Sequence, residues 1–208
     1  MGERVGSLVV FTGPMFSGKT SHLIQSLTQH VDIRYGNDKV LLINSSLDDR
    51  DLESRVSCHS SSYRGVSKKI DIVSCETLKE VDISQHDIIG VNECQFFGDL
   101  LEVITAWLEC GKHIYCSGLD SDAGMNTFGQ VHQLLHLADN FVKLTACCSL
   151  CRKEQGSDVR SLINIPPASF TARIDRIHPD SQIDVGGADK YLSVCRRHFI
   201  MINNDSKH

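Results

Sequence analysis

Short runs of consecutive apolar residues, rich in Val and Ile, recur through the first two thirds of the chain. They fall at 7–11, 39–43, 69–73, 87–91, 113–117 and 142–145, and each reads as a strand. Between them the apolar positions take helical spacing at 19–31, 75–81, 100–110 and 131–138, with Gly111 stopping the third helix. Strands that are apolar throughout, instead of alternating, must be covered on both faces. The pattern predicts an α/β fold: a parallel sheet with helices on each side. A Ser- and Asp-rich stretch at 44–68 reads as a loop. After Ala146 the rhythm breaks, and the turn formers Pro166-Pro167 and Gly186-Gly187 appear with little helical periodicity. Residues 1–146 thus read as one α/β domain, and 147–208 as a small appendage whose apolar core is too small to fold alone.

The first strand runs into Gly13-Pro14-Met15-Phe16-Ser17-Gly18-Lys19-Thr20, a full match to G-x-x-x-x-G-K-[ST] between a strand and a helix. Glycines there let backbone N–H groups curl around phosphate oxygens, and the helix N-terminus adds its dipole. Lys19 adds a point charge at the β/γ oxygens, and Thr20 Oγ1 can ligate Mg²⁺. This makes residues 1–146 a P-loop domain that binds a nucleoside triphosphate. The strand at 87–91 ends in Asn92-Glu93-Cys94-Gln95-Phe96-Phe97, expected on a strand neighbouring the P-loop strand. Strand C-termini form the ligand crevice of such sheets, so Glu93 is a candidate proton acceptor beside the γ-phosphate. Asn92 is unusual there, since a neutral amide holds a metal less well than Asp.

Composition narrows the partners. Lys and Arg total 21 against 26 Asp and Glu, a net charge of −5, which opposes a general nucleic-acid binder. No apolar run approaches the ~20 residues of a membrane span, and the first residues lack the charged start and cleavage site of a signal peptide. With no such signal, nine cysteines read as reduced thiols of a cytoplasmic protein. Cys148-x₂-Cys151 and Cys195-x₂-His198 form a Cys₃His set suited to structural zinc, closed to substrate. Cys147 competes with Cys148, though its four-residue offset from Cys151 fits less well. Cys58, Cys75, Cys94, Cys110 and Cys116 are expected as core or near-core thiols.

Five motifs in order carry a resemblance: residues 13–20; Glu93-x-Gln95-Phe96-Phe97; Gly118-Leu119-Asp120-Ser121-Asp122; Lys143-Leu144-Thr145-Ala146 before the first knuckle; and Gly186-Gly187-Ala188-Asp189-Lys190-Tyr191 before the second. The chain resembles the type II thymidine kinases, the cytosolic, zinc-containing class, over about residues 7–199. The resemblance implies transfer of the γ-phosphoryl group of ATP to the 5′-hydroxyl of thymidine, with Glu93 as general base. Lys19 and Arg50 would carry the charge of the transferring group. Asp48, Arg50, Asn92 and Gln95 would join the P-loop on the nucleotide. Met15, Phe96, Leu119, Ala123, Phe128 and Thr171 would line the thymidine pocket. A zinc-tied lasso with Ile183, Asp184, Val185, Gly186, Gly187 and Tyr191 would close over the base. Kinship further implies a homotetramer and feedback by thymidine triphosphate.

Three departures stand out: Asn92 where the family has Asp, Ala123 where it has Phe, and added length between Lys153 and Pro167. The first two motivate an alternative, a catalytically weakened nucleotide-binding regulator of the same fold. A zinc-knuckle ATPase acting on nucleic acid is a third reading, opposed by the acidic balance. Phe96, Phe97 and Tyr191 as packing residues, and Glu93 as a solvated strand end, are the lesser readings beside these motifs.

Overall fold

The computed structural model describes residues 5–33, 39–47, 69–156, 164–174 and 186–205. Six parallel strands, β1 (Ser7–Thr12), β2 (Val40–Ser45), β3 (Ile70–Cys75), β4 (Ile88–Asn92), β5 (His113–Gly118) and β6 (Asn140–Lys143), form one sheet in the order β3-β2-β4-β5-β1-β6. Successive side chains on a strand point to opposite faces, and each face finds a cover. Val40 and Leu42 of β2 pack with Leu23 and Leu27 of α1 (Lys19–Ile33), together with Phe11, Ile70 and Ile88. Leu41 and Ile43 turn the other way, toward Leu100, Val103, Ile104 and Trp107 of α2 (Leu100–Glu109). Double coverage is the reason the strands are apolar without alternation. Fully burying one such Leu or Ile contributes about 1.5–3 kcal/mol.

Several local expectations need correction. The helix expected at 75–81 is a single 3-10 turn, Leu78–Glu80, because Cys75 still pairs as the last residue of β3. The stretch expected as a helix at 131–138 is 3-10, Val131–His136. The final strand begins two residues before its expected start at 142. Asp139 locks to β1 first: its N–H donates to the Leu8 carbonyl at 3.0 Å and its carboxylate accepts the Leu8 N–H at 2.8 Å, so pairing starts at Asn140. Cys110, expected near the core, is exposed on the turn that ends α2.

The C-terminal part is more helical than its periodicity suggested. β7 (Ala146–Cys147) pairs with β8 (Pro167–Ala168), and β9 (Phe170–Arg173) with β10 (Tyr191–Val194), both antiparallel. α3 (Ser149–Gln155) and α4 (Arg196–Asp205) start inside the two knuckles, so ligand residues occupy positions where an apolar stripe would show. The core beneath them is small: Cys148, Cys151, Ala168, Phe170, Ala172, Val194, Cys195 and Phe199. Among the described residues, no helix is long and apolar enough to cross a membrane.

Candidate active site and metal centre

The strand–loop–helix turn after β1 has the backbone that an anion cradle requires. Gly13 and Gly18 take φ of 132° and 82°, and Phe16 takes 63°, so successive amides turn inward where an extended strand would alternate them. The first amides of α1 have no intrahelical acceptor by geometry. Within the loop, Ser17 Oγ and Lys19 Nζ both donate to the Pro14 carbonyl at 2.8 Å, and the Lys19 stem is buried. The Met15 N–H donates to Thr171 Oγ1 of β9 at 3.0 Å, which ties the C-terminal part directly onto the loop.

The P-loop strand and the Glu93 strand, expected to be neighbours, are not adjacent in the sheet. β5 lies between them, and it contributes a residue that sequence reasoning missed. Asn92, buried at the end of β4, accepts hydroxyl protons at Oδ1 from Thr20 (3.1 Å) and from Ser117 of β5 (2.8 Å). Thr12 Oγ1 donates to the Gly118 carbonyl at 3.0 Å and stitches β1 to β5. A buried serine ending an otherwise apolar strand was the available signal for Ser117. Donating its proton to Asn92 leaves the lone pairs of Thr20 Oγ1 for a cation, so these residues fit a magnesium-bound triphosphate. The carboxamide accepts that proton as a carboxylate would, without supplying a charge.

Glu93 follows at once, half-buried, with φ 49° and ψ 45°. A left-handed backbone at a non-glycine residue costs on the order of 1–3 kcal/mol and persists only where its surroundings demand it. Gln95 Nε2 donates to Glu93 Oε2 at 2.7 Å, and the Leu119 N–H donates to Gln95 Oε1 at 3.0 Å.

Phe97 is wholly buried in the core, whereas Phe96 is half-buried and meets Phe128 edge-on, with centroids 5.7 Å apart. Ala123 is half-buried in a turn that Asp122 caps through the N–H groups of Gly124 and Asn126. Thr171 and Tyr191 are buried on the paired strands β9 and β10, and the Arg173 guanidinium lies 5.7 Å over the Tyr191 ring. The Gly187 carbonyl accepts the N–H groups of Lys190 and Tyr191, closing the turn that leads into β10. Asp48, Arg50, Ile183, Asp184 and Val185 lie outside the described residues.

The two knuckles converge. The ligand atoms of Cys148, Cys151, Cys195 and His198 all lie within 4.8 Å of one another, and all four residues are buried. Tetrahedral zinc, with bonds of ~2.3 Å to sulfur and ~2.05 Å to nitrogen, requires edges near ~3.8 Å between sulfurs and ~3.5 Å from sulfur to nitrogen. Cys151 and Cys195 are 3.8 Å apart, and His198 Nδ1 lies 3.3–3.5 Å from the three sulfurs. The donor set fits zinc in chemistry and in size. Cys147 sits on β7 with an exposed thiol, outside the cluster, which resolves its competition with Cys148.

Burial opposes a charge on Cys148, but the N–H groups of Cys151 and Cys195 and the His198 ring outweigh it and lower its pKa to about 6. Burial, reinforced by the Cys148 charge, pushes Cys151 up to about 11, so of these two thiols Cys148 is the one that ionises first. A dication would make all three sulfurs thiolates. Behind the ligands, His198 Nε2 meets Glu154 Oε1 at 2.9 Å, and Arg197 pairs with the same carboxylate. Those hydrogen bonds hold Glu154 below its ordinary range and orient the imidazole with Nδ1 inward. Glu154 and Arg197 carried no spacing signal of their own.

Comparison with known proteins places the chain in a family. The sequence model of the family described as thymidine kinase matches residues 6–199. The thymidine kinase of fowlpox virus is 32% identical over 198 residues, covering 93% of this chain and 97% of the viral protein. That of Thermococcus kodakarensis is 31% identical, covering 94% and 95%. The rice thymidine kinase is 34% identical over 94% of this chain and 66% of its own length. With a P-loop, an acidic turn beside it, a zinc-type cluster and this similarity along nearly its whole length, the chain belongs to the thymidine kinase family.

Proposed function

We propose that this kinase transfers the γ-phosphoryl group of ATP to the 5′-hydroxyl of thymidine, with Glu93 accepting the hydroxyl proton. The observation that carries the reading is the Thr20–Asn92 hydrogen bond of 3.1 Å, which joins the phosphate loop to the residue next to Glu93. Cradle and carboxylate then share one crevice at the C-terminal ends of β1, β5 and β4. In-line transfer needs little covalent help from protein; positioning and charge stabilisation do most of the work. The loop amides and Lys19 hold the triphosphate, with Asp48 and Arg50 at its phosphate end. Magnesium, held by Thr20, would neutralise charge on the β and γ oxygens. Met15, Phe96, Leu119, Ala123, Phe128 and Thr171 bound the nucleoside, and residues 183–187 with Tyr191 close over the base. In this reading residues 1–146 bind nucleotide, and 147–208 form a zinc-tied lasso. A cytoplasmic homotetramer with feedback by thymidine triphosphate completes the proposal on kinship.

The test is direct. Purified protein with MgATP is offered thymidine, deoxyuridine, deoxycytidine and the purine deoxynucleosides in turn. Thymidine is expected to give the fastest ADP release and a 5′-monophosphate; no ADP release with any of them would overturn the proposal.

The weakened-regulator reading is not favoured, because the Asn92 carbonyl keeps its bond to Thr20 despite lacking charge. Asn92→Asp turns two neutral hydrogen bonds into charge-assisted ones. The apparent affinity for Mg²⁺ in the presence of ATP should rise about tenfold, the equivalent of about 1.4 kcal/mol. A magnesium titration of initial rates measures it.

A further inference from the structure

Gln95 lies two residues after Glu93 on the one-turn 3-10 helix Cys94–Phe96 and is only 4% exposed. Its amide has no freedom to flip. The Leu119 N–H, on the chain leaving β5, points at Oε1, and only an acceptor can sit there. Nε2 is thereby left facing the Glu93 carboxylate, which in its ionised form is acceptor-only. Both ends of the amide demand the same orientation.

Close packing fixes both the turn and this side chain. A Cβ on Gly118 would stand 2.6 Å from Cys94 Sγ and 2.8 Å from Gln95 Oε1, and one on Gly129 would stand 2.2 Å from the Gln95 backbone carbonyl oxygen. Both approaches admit glycine and no larger residue. Glu93, in a left-handed backbone at the start of a single turn, takes no side-chain direction from regular structure.

Resting on the assignment of Glu93 as proton acceptor, we infer that Gln95 is a positioning residue: its amide reads the fixed Leu119 N–H and aims the Glu93 carboxylate. It acts through Glu93, not through a nucleotide contact. Gln95→Glu keeps shape and can still accept from Leu119, but it sets a carboxylate against Glu93. Gln95→Met removes both bonds at similar volume.

Each variant should lower kcat about 10–100-fold, within the range of acid–base contributions, while KM for ATP and thymidine stays within about threefold. Thermal melts confirm folding. The decisive readout is the Glu93→Gln background, followed by single-turnover rates. There Gln95→Glu can still hydrogen-bond the new amide, and neither Gln95 substitution should slow turnover more than about twofold further, because a residue acting through Glu93 has nothing left to position. The inference is overturned if both single variants keep kcat within about twofold of the parent, or if their losses persist undiminished in that background. An undiminished kcat for Glu93→Gln alone would strike the base assignment itself, a separate result.

Discussion

Glu93→Gln should reduce kcat by about 10²–10⁴-fold while leaving thymidine affinity within about twofold, because proton acceptance in the transition state is worth that range and ground-state contacts are unaltered. The substitution is nearly isosteric. The new carbonyl oxygen can still accept the 2.7 Å hydrogen bond from Gln95. What disappears is the group able to take up a proton as the 5′-oxygen attacks phosphorus. Steady-state kinetics, with calorimetric titration of thymidine, separates the two quantities. If most turnover survived, proton acceptance by residue 93 would be excluded.

Removing the metal is expected to be as damaging by a different route. A structural zinc site supplies apparent binding free energy on the order of 10 kcal/mol, which is folding free energy when no preformed site exists in the unfolded chain. The cluster lies within a core of only a few side chains, three of them the ligand cysteines themselves. β9 and β10 leave that core carrying Thr171 and Tyr191, and Thr171 holds the Met15 N–H of the phosphate loop. Cys148→Ala, or prolonged chelation, should therefore unfold the C-terminal part and cut kcat/KM at least ~100-fold, while the sheet, with its own two-sided core, keeps its secondary structure. Metal analysis beside circular dichroism and activity measures this. The pH dependence has a definite sign. The Cys148 thiol is depressed in the folded protein to about 6, so its contribution is present above its ordinary value near 9 and is lost as pH falls through about 6. Bound zinc lowers the effective value further, so metal release should begin below about pH 6 and not above it.

The reach of sequence reasoning differed from element to element. The P-loop was legible because its chemistry is contiguous: eight successive residues form the whole cradle, and strand and helix flank it by their own patterns. The zinc ligands were legible because each knuckle is local and the two together make a closed Cys₃His set, and only the choice of Cys148 over Cys147 required the fold. Strand cores were readable from unbroken apolar runs, for a residue pointing to either face meets a covering helix. The stretches at 75–81 and 131–138 were misread as helices because helical spacing alone does not separate α from 3-10 turns.

Strand order lay beyond reach of the chain's own pattern. That β5 separates β4 from β1, and so delivers Ser117 to Asn92 and the Leu119 N–H to Gln95, depends on which crossovers bring distant segments side by side. Local sequence determined which chemical groups the protein owns: a phosphate loop, a carboxylate in a turn, two pairs of metal ligands. Tertiary structure alone decided which of them touch. Hydrogen bonds between strand ends are made by residues far apart in the chain, and they leave no periodicity or spacing for a reader of the sequence to detect.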